Sequence, residues 1–181
     1  ALVLAHVYHA NIKSIDTSAA VAAEGVLHVF TAKDVKGTNR MNSPKGSPYH
    51  LGDGQDHVVI CDRKVHHYGD VVAVVAAETR ELARAAAALV KVEYEELPAY
   101  LDFMQAAQPD AVQIHEGTPN VYAEQPLFKG EDTRRIFETA PYVVEGSFST
   151  TRQSHLPIEP ETVQAYPEGD GVCIQNKSQN L

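Results

Sequence analysis

The polar side chains best placed to do chemistry lie late in the chain. Gln153, His155 and Glu159 occur within one short segment, and Pro157 and Pro160 flank the glutamate. Because proline fixes φ, the two prolines can hold the directions of the histidine and glutamate side chains. Most side-chain hydrogen bonds in folded proteins go to backbone groups or water, so the same residues could simply tie down a loop. The sequence therefore predicts a loop-fixing polar cluster, with a structural or a functional role.

The other polar residues do not form the motifs of metal or nucleophile sites. Nine histidines are present, but the adjacent His66 and His67 would point to opposite faces of a strand, and so would His6 and His9. The chain has no HExxH motif, no Gly-rich phosphate-binding loop and no Gly-x-Ser-x-Gly elbow. Cys61 has no basic or helix-terminal neighbour that would favour its thiolate. We expect no metal site and no nucleophilic catalysis from these residues.

Charge and composition disfavour several classes of partner. The 181-residue chain has a formal net charge of -9, which disfavours nucleic acid and anionic membranes. It contains no apolar run of about 18 residues and no signal peptide. Cys61 and Cys173 stand alone, without a CxxC motif, as is typical of reduced thiols in a cytoplasmic protein. The chain begins at Ala1 in a strand-like pattern and ends at Leu181 without a stop signal, so we expect a piece of a longer polypeptide.

The stretch from Gly69 to Pro98 organises the predicted fold. Its elements are a strand at Val71 to Ala77, a helix at Thr79 to about Leu89, and a strand at Val90 to Leu97. The first strand is continuously apolar, so both of its faces should be buried. Leu82, Ala86 and Leu89 recur at helical spacing and should face the sheet. We expect the two strands to share one sheet.

Weaker patterns predict further elements on both sides of this stretch. The predicted strands are Leu2 to His9, Val26 to Thr31, Val58 to Cys61, Tyr142 to Ser149, and the hairpin pair Val163 to Pro167 and Val172 to Asn176. The predicted helices are Ala19 to Ala23, Phe103 to Ala107, and one that begins at Asp132 or Thr133 and ends at Ala140. Residues 36–56 are rich in Gly, Asn, Ser, Pro and Asp and predict a long surface loop.

Several motifs in order resemble one family, the xanthine oxidase family of molybdenum hydroxylases. The segments that resemble its a/b hammerhead domain are Gly69 to Pro98, His9 to Ser18 and Gly25 to Val35. Glu145 to Phe148 and Gln153 to Pro160 resemble the start of its first molybdopterin-binding domain. Gly117 to Tyr122 and Lys129 to Thr133 are most similar to the bacterial molybdenum–iron–sulfur aldehyde oxidoreductases.

The resemblance implies an α/β (α+β) fold with three regions. Residues 1–100 would form the a/b hammerhead domain and residues 101–135 an extended connector. Residues 136–181 would be the truncated start of the molybdopterin-binding domain. The implied partners are the remainder of the large subunit and an iron–sulfur domain or subunit, in a homo-oligomer that binds no nucleic acid and no membrane.

The resemblance also implies an activity for the full-length protein. By this resemblance, the full-length protein would hydroxylate aldehydes to carboxylic acids with oxygen from water. Its cofactors would be molybdenum on molybdopterin, as the cytosine dinucleotide in bacteria, and two [2Fe-2S] clusters. Gln179 falls where the family has a glutamine beside the molybdenum, and its amide can donate a hydrogen bond to an oxo ligand without adding charge. The family's catalytic glutamate and cofactor loops would lie beyond Leu181, so this chain alone should bind no cofactor and be inactive.

Two alternatives stay open at this point. Because the hammerhead domain is shared across the family, the chain could belong to a xanthine or purine hydroxylase or to a carbon monoxide dehydrogenase large subunit. A different class of function is a non-catalytic structural or binding module.

Overall fold

The computed structural model describes residues 1–40, 58–117, 119–121, 124, 126–156, 158–160 and 162–177. They fall into two compact units, Ala1–Leu127 and Phe128–Leu181. The elements of the first unit are β1 (Leu2–Leu4), β2 (Ala10–Asp16), α1 (Ser18–Val21), β3 (Val26–Phe30), β4 (Lys64–Val65), β5 (Val71–Ala77), α2 (Arg80–Ala87), β6 (Lys91–Glu96) and α3 (Phe103–Ala106), with a 3₁₀ turn at Ala32–Asp34. The second contains α4 (Thr133–Thr139), β7 (Val163–Glu168) and β8 (Gly171–Asn176).

The first unit contains two small antiparallel sheets, with strand orders β1-β5-β3 and β4-β2-β6. Strand β5 is central in its sheet, and its residues Val72, Ala73 and Val75 are fully buried. Ala73 and Val75 pack with residues of α1, β3 and α2, whereas Val72 packs with Cys61 and other residues before β5. Neighbouring strand residues point to opposite faces, so β5 contributes to two hydrophobic cores. The prediction that both faces of this strand are buried is confirmed.

The prediction that the strands on either side of α2 share a sheet is wrong. Both edges of β5 are occupied by β1 and β3, so β6 pairs with β2 in the other sheet. The β2–β6 ladder runs from the pair Ala10 and Glu96 to the pair Asp16 and Lys91. Val92 and Tyr94 of β6 are half-buried, as their alternation with charged residues predicted.

Helix α2 begins as predicted, ends earlier than predicted, and buries part of the predicted face. The Thr79 hydroxyl accepts a hydrogen bond from the Leu82 N–H at 3.2 Å, which confirms the predicted N-cap. The buried residues are Ala83 and Ala86, whereas Leu89 lies beyond the helix and is exposed. Leu82 is half-buried, so the predicted sheet-facing side is confirmed at Leu82 and Ala86 and is wrong only at Leu89. Small alanine side chains let the helix approach the sheet closely.

Two predicted strands have different bounds or are absent. The strand predicted from Leu2 to His9 ends at Leu4, because the chain leaves the β1 sheet and enters the other sheet at Ala10. The segment from Val58 to Cys61 is irregular. The side-chain amide of Asn39 takes the place of a strand partner there, since its Nδ2 donates to Ile60 O at 2.7 Å and its Oδ1 accepts from Ile60 N at 3.0 Å.

The second unit confirms its local predictions and corrects one. Asp132 caps α4 by accepting a hydrogen bond from Arg134 N at 3.0 Å. Strands β7 and β8 form the predicted hairpin, whose turn contains Gly169 at φ 60°.

The strand predicted from Tyr142 to Ser149 is not formed. In the described part of the chain, these residues are exposed and pair with no other strand. An alternating pattern produces a strand only where another strand supplies its backbone hydrogen bonds. The predicted loop at 36–56 lies mostly outside the described residues, which resume at residue 58.

Gly25 offers a test of how Leu82 of α2 packs against the chain before β3. Its φ is +71°, and a Cβ at this position would lie 2.5 Å from Leu82 Cδ1. Because the left-handed conformation and the crowding both penalise a side chain, we expect Gly25→Ala to lower the free energy of unfolding by about 1–2 kcal/mol. Gly37→Ala is the matched control, since an added Cβ meets nothing within 4 Å there. Urea unfolding gives the free energy of unfolding of both variants. Equal losses in the two variants would contradict the proposed packing of α2 against Gly25.

Candidate functional site

The predicted polar cluster lies in the segment that precedes β7. Gln153 and His155 are exposed, and within the described residues no hydrogen bond joins them to each other or to Glu159. Glu159 instead forms an ion pair with the Lys177 ammonium, directly after β8. Leu156 adopts φ 43°, a left-handed conformation that is strained for leucine, so the backbone bends sharply beside His155.

The Glu159–Lys177 pair connects this segment to the end of the hairpin. Lys177 N also donates to Thr162 O at 3.3 Å, which extends the hairpin by one residue on each strand. Both charged side chains are substantially exposed, so the pair contributes only about 0–1 kcal/mol to the free energy of unfolding. Its main effect is to place the two segments side by side. Gln179 follows Lys177 by two positions, and both Gln179 and Pro157 lie outside the described residues.

An open cleft in the second unit is a poor cradle for a cofactor. It has a volume of about 670 Å³ and is lined by Phe137, Val144, Glu145, Gly146 and Ser147. Among the described residues, its lining contains one carboxylate and no cation, a poor match for the phosphate groups of a pterin nucleotide. These residues therefore do not fit such a cofactor, and we assign the cleft no role in holding one.

The first unit contains a polar centre around Asp70 that the sequence reasoning missed. Asp70 Oδ2 accepts hydrogen bonds from His66 N at 2.7 Å and His67 N at 3.1 Å. Its Oδ1 lies 3.1 Å from His67 Nε2. The backbone of Asp70 and Gly69 bonds to both polar groups of Ala5. An aspartate shortly after a turn commonly accepts such backbone hydrogen bonds, and this local signal could have identified Asp70.

Besides His67, three histidines lie near this centre. His9 is buried, and its Nδ1 lies 2.7 Å from Pro98 O. A carbonyl oxygen only accepts hydrogen bonds, so Nδ1 carries the proton and donates it. His66 stacks on His115 with ring centroids 4.3 Å apart and an interplanar angle of 7°. Burial lowers the pKa of His66 to about 4, and the neighbouring His115 adds to this effect while Asp70 opposes it.

The arrangement is suited to fixing chain segments rather than to catalysis. Burial, with a smaller contribution from Asp70, raises the pKa of the Cys61 thiol to about 12, so Cys61 is protonated at neutral pH. In the described ranges, no three His, Cys, Asp or Glu side chains are arranged to hold a metal ion.

None of the helices described is long and apolar enough to cross a membrane.

Comparison with known families identifies the class of protein that this fold defines. Residues 1–98 match the family described as aldehyde oxidase and xanthine dehydrogenase, a/b hammerhead domain. Residues 114–181 match the molybdopterin cofactor-binding domain. The chain therefore belongs to the aldehyde oxidase and xanthine dehydrogenase family, within the molybdenum hydroxylases of the xanthine oxidase type. The resemblance inferred from the sequence and the predicted fold class are confirmed.

Individual relatives are similar to this chain along nearly its whole length. The chain is 54% identical over 179 residues to the aldehyde oxidoreductase of Megalodesulfovibrio gigas, a match that covers 98% of the chain and 20% of the relative. The solved structure of the Desulfovibrio gigas aldehyde oxidoreductase, activated with dithionite and sulfide, superposes with a TM-score of 0.91 at 53% identity and covers 98% of the chain and 20% of that structure.

A more distant relative is a probable xanthine dehydrogenase component of Bacillus subtilis. It is 36% identical over 163 residues, which cover 90% of the chain and 20% of the relative. The chain thus spans about a fifth of the length of these curated relatives.

The two cysteines provide a test of the burial of Cys61 beside Asp70. Cys61 is buried and Cys173 partly exposed. We expect iodoacetamide at pH 8 to modify Cys173 in the native protein and to leave Cys61 unmodified, because both burial and the raised pKa protect Cys61. Asp70→Asn should leave Cys61 protected, since burial is the larger cause. Peptide mass spectrometry gives the extent of modification, with urea-unfolded protein as the control in which both thiols react. Rapid native modification of Cys61 would refute this explanation.

Proposed function

We propose that this chain is part of a molybdenum-dependent aldehyde oxidoreductase, which hydroxylates aldehydes to carboxylic acids with water as the oxygen source. The observation that carries the proposal is the 54% identity to an aldehyde oxidoreductase along nearly the whole chain. The identity to the xanthine dehydrogenase relative is lower at 36%, so a purine hydroxylase is the second candidate. A carbon monoxide dehydrogenase large subunit and a non-catalytic module are the remaining alternatives.

Within that enzyme, the chain would serve mainly as scaffold. The proposed regions are the hammerhead domain at residues 1–100, the connector at 101–135 and the start of the molybdopterin-binding domain at 136–181. The family match to residues 1–98 supports the first boundary, whereas the match to the molybdopterin cofactor-binding domain begins at residue 114, within the proposed connector. The division into compact units falls after Leu127, within the proposed connector.

Molybdopterin with molybdenum would supply the redox chemistry when bound, and Gln179 is the residue of this chain proposed to lie beside it. Its amide would donate a hydrogen bond there without adding charge. The ion pair between Glu159 and Lys177 supports a defined position for this strand end, because it ties the residues before Gln179 to the preceding segment. In the same proposal, Gln153 and His155 help to fix that segment.

The finer features of the whole enzyme are also part of the proposal. The molybdopterin would be the cytosine dinucleotide form, and two [2Fe-2S] clusters would be held by other domains. The partners would be the remainder of the large subunit and the iron–sulfur domain or subunit, in a cytoplasmic homo-oligomer. The free state of Cys61 and Cys173 supports a reducing compartment.

Metal and activity measurements on the full-length protein test the proposal. We expect molybdenum together with about four irons per chain, as two binuclear clusters require. With an artificial electron acceptor, aldehydes should be oxidised much faster than xanthine or carbon monoxide. Faster oxidation of xanthine would favour the purine hydroxylase, and protein without molybdenum or iron would favour the non-catalytic module.

Gln179 has a separate test. We expect Gln179→Ala to lower kcat for aldehyde oxidation by about 10- to 100-fold with the molybdenum content retained, because one hydrogen-bond donor near the reacting atoms is lost. Gln175→Ala is the matched control, since the Gln175 amide donates to the Tyr166 hydroxyl on the same hairpin at 3.2 Å. Unchanged kcat in Gln179→Ala, or an equal loss in Gln175→Ala, would contradict the proposed role.

A further inference from the structure

The segment after the hammerhead strands forms a loop with its own internal hydrogen bonds. We call the described residues 101–117 and 119–121 the connector arm. Asn120 is its hub, because its Nδ2 donates to Ala106 O at 2.9 Å and Val112 O at 3.0 Å while its Oδ1 accepts from Ile114 N at 3.0 Å. Val112 N also donates to the Tyr100 hydroxyl at 2.8 Å. These bonds hold the arm together, but each of them joins residues close in the sequence.

The contact between His66 and His115 is of a different kind. It joins the arm to the turn before β5, across nearly parallel rings whose centroids are 4.3 Å apart. His66 is fixed from its own side, because its backbone N–H bonds to Asp70 Oδ2 at 2.7 Å. The stack therefore fastens the arm to a rigid part of the first unit.

We propose that the His66–His115 stack is an acid-sensitive fastening, which holds the connector arm on the hammerhead unit while the rings are neutral and releases it when they are protonated. Two neutral imidazoles stack favourably through their π faces. Two imidazolium rings in the same geometry would place like charges about 4 Å apart in a partly buried site, where water screens them weakly. The inference concerns the attachment of the arm and does not depend on the reaction proposed above.

The charged and titratable groups around His66 determine the direction of the response. Lys64 on β4, His9 before β2 and His115 on the arm all disfavour a proton on His66, and burial is the largest cause. Asp70, which follows His66 in the same turn, is the group that favours the proton. Asp70 also contacts His67 Nε2, so its negative charge is shared between two neighbours.

The sign of the pH dependence follows from the lowered pKa of His66. In the fastened state the pKa of His66 is about 4. With the arm released, His66 loses the burial and the His115 interaction that the arm supplies, so its pKa should rise toward the ordinary value of about 6.5. Between these values, the released state binds a proton that the fastened state does not, so acid favours release. The fastening is complete above about pH 6.5 and weakens as the pH falls toward 4. Because His66 is partly exposed, we expect a reduced effect, about tenfold in the opening equilibrium between pH 7.5 and 5.0.

Hydrogen exchange of the full-length protein tests the release. After correction for the intrinsic pH dependence of exchange, peptides from residues 101–121 should exchange about tenfold faster at pH 5.0 than at pH 7.5. Peptides from β5 should keep the same protection at both values. An arm with pH-independent protection, or equal acceleration in β5, would overturn the proposal.

Variants separate the stack from other acid effects. His115→Phe keeps an aromatic ring but cannot be protonated, so the arm should remain protected at pH 5.0. His28→Phe is the matched control, because His28 is an exposed histidine that contacts Phe30 and Asp34 away from the arm. This control should retain the acid response. A persistent response in His115→Phe would overturn the assignment to the stack.

A measurement on the unmodified protein keeps the test independent of how the variants fold. Exchange of the histidine C2 hydrogen, followed by mass spectrometry, reports the titration of each histidine separately. We expect the transition of His66 below about pH 5, well under its ordinary value of about 6.5. A His66 transition near the ordinary value would overturn the proposal.

Discussion

Burial of β5 on both faces is the constraint on which the first unit depends. Val72 faces one core and Ala73 and Val75 face the other, so one strand carries apolar side chains to two separate clusters. The pairing of β1 and β3 on its two edges leaves β5 no free edge for a further strand. The second sheet must then be built around β2, and the chain passes from one sheet to the other between each pair of consecutive strands from β1 to β6.

Local features of this fold could be predicted from sequence because each depends on nearby residues. The continuous apolar run of β5, the Thr79 and Asp132 caps and the β7–β8 hairpin all follow from short patterns. Sheet membership could not be predicted in the same way, since it depends on which strand occupies the edge of β5. The alternation from Tyr142 to Ser149 shows the same limit, because the pattern specifies two faces but not a hydrogen-bonding partner.

The same distinction between local and distant determinants applies to the candidate site residues. Resemblance to the family identified Gln179, which no spacing rule could have singled out. The adjacency of His66 and His67 excludes one shared ion but does not indicate which groups each ring contacts separately. The partner of His66 is His115, whose position depends on how the connector arm folds back. The sequence does not single out Asp70, because its main hydrogen bonds are to backbone N–H groups, which every residue type except proline provides.

The two hydrogen bonds between Asn39 and Ile60 have a consequence for the core. A single side-chain amide joins the chain before residue 41 to the chain after residue 57, in the manner of one rung of a ladder. These two bonds hold residues 39 and 60 together. Ile60 is buried, so loss of the Asn39 amide would leave the N–H and the carbonyl of a core residue without these partners. Residue 39 therefore constrains the core from outside it, through backbone groups rather than through apolar contact.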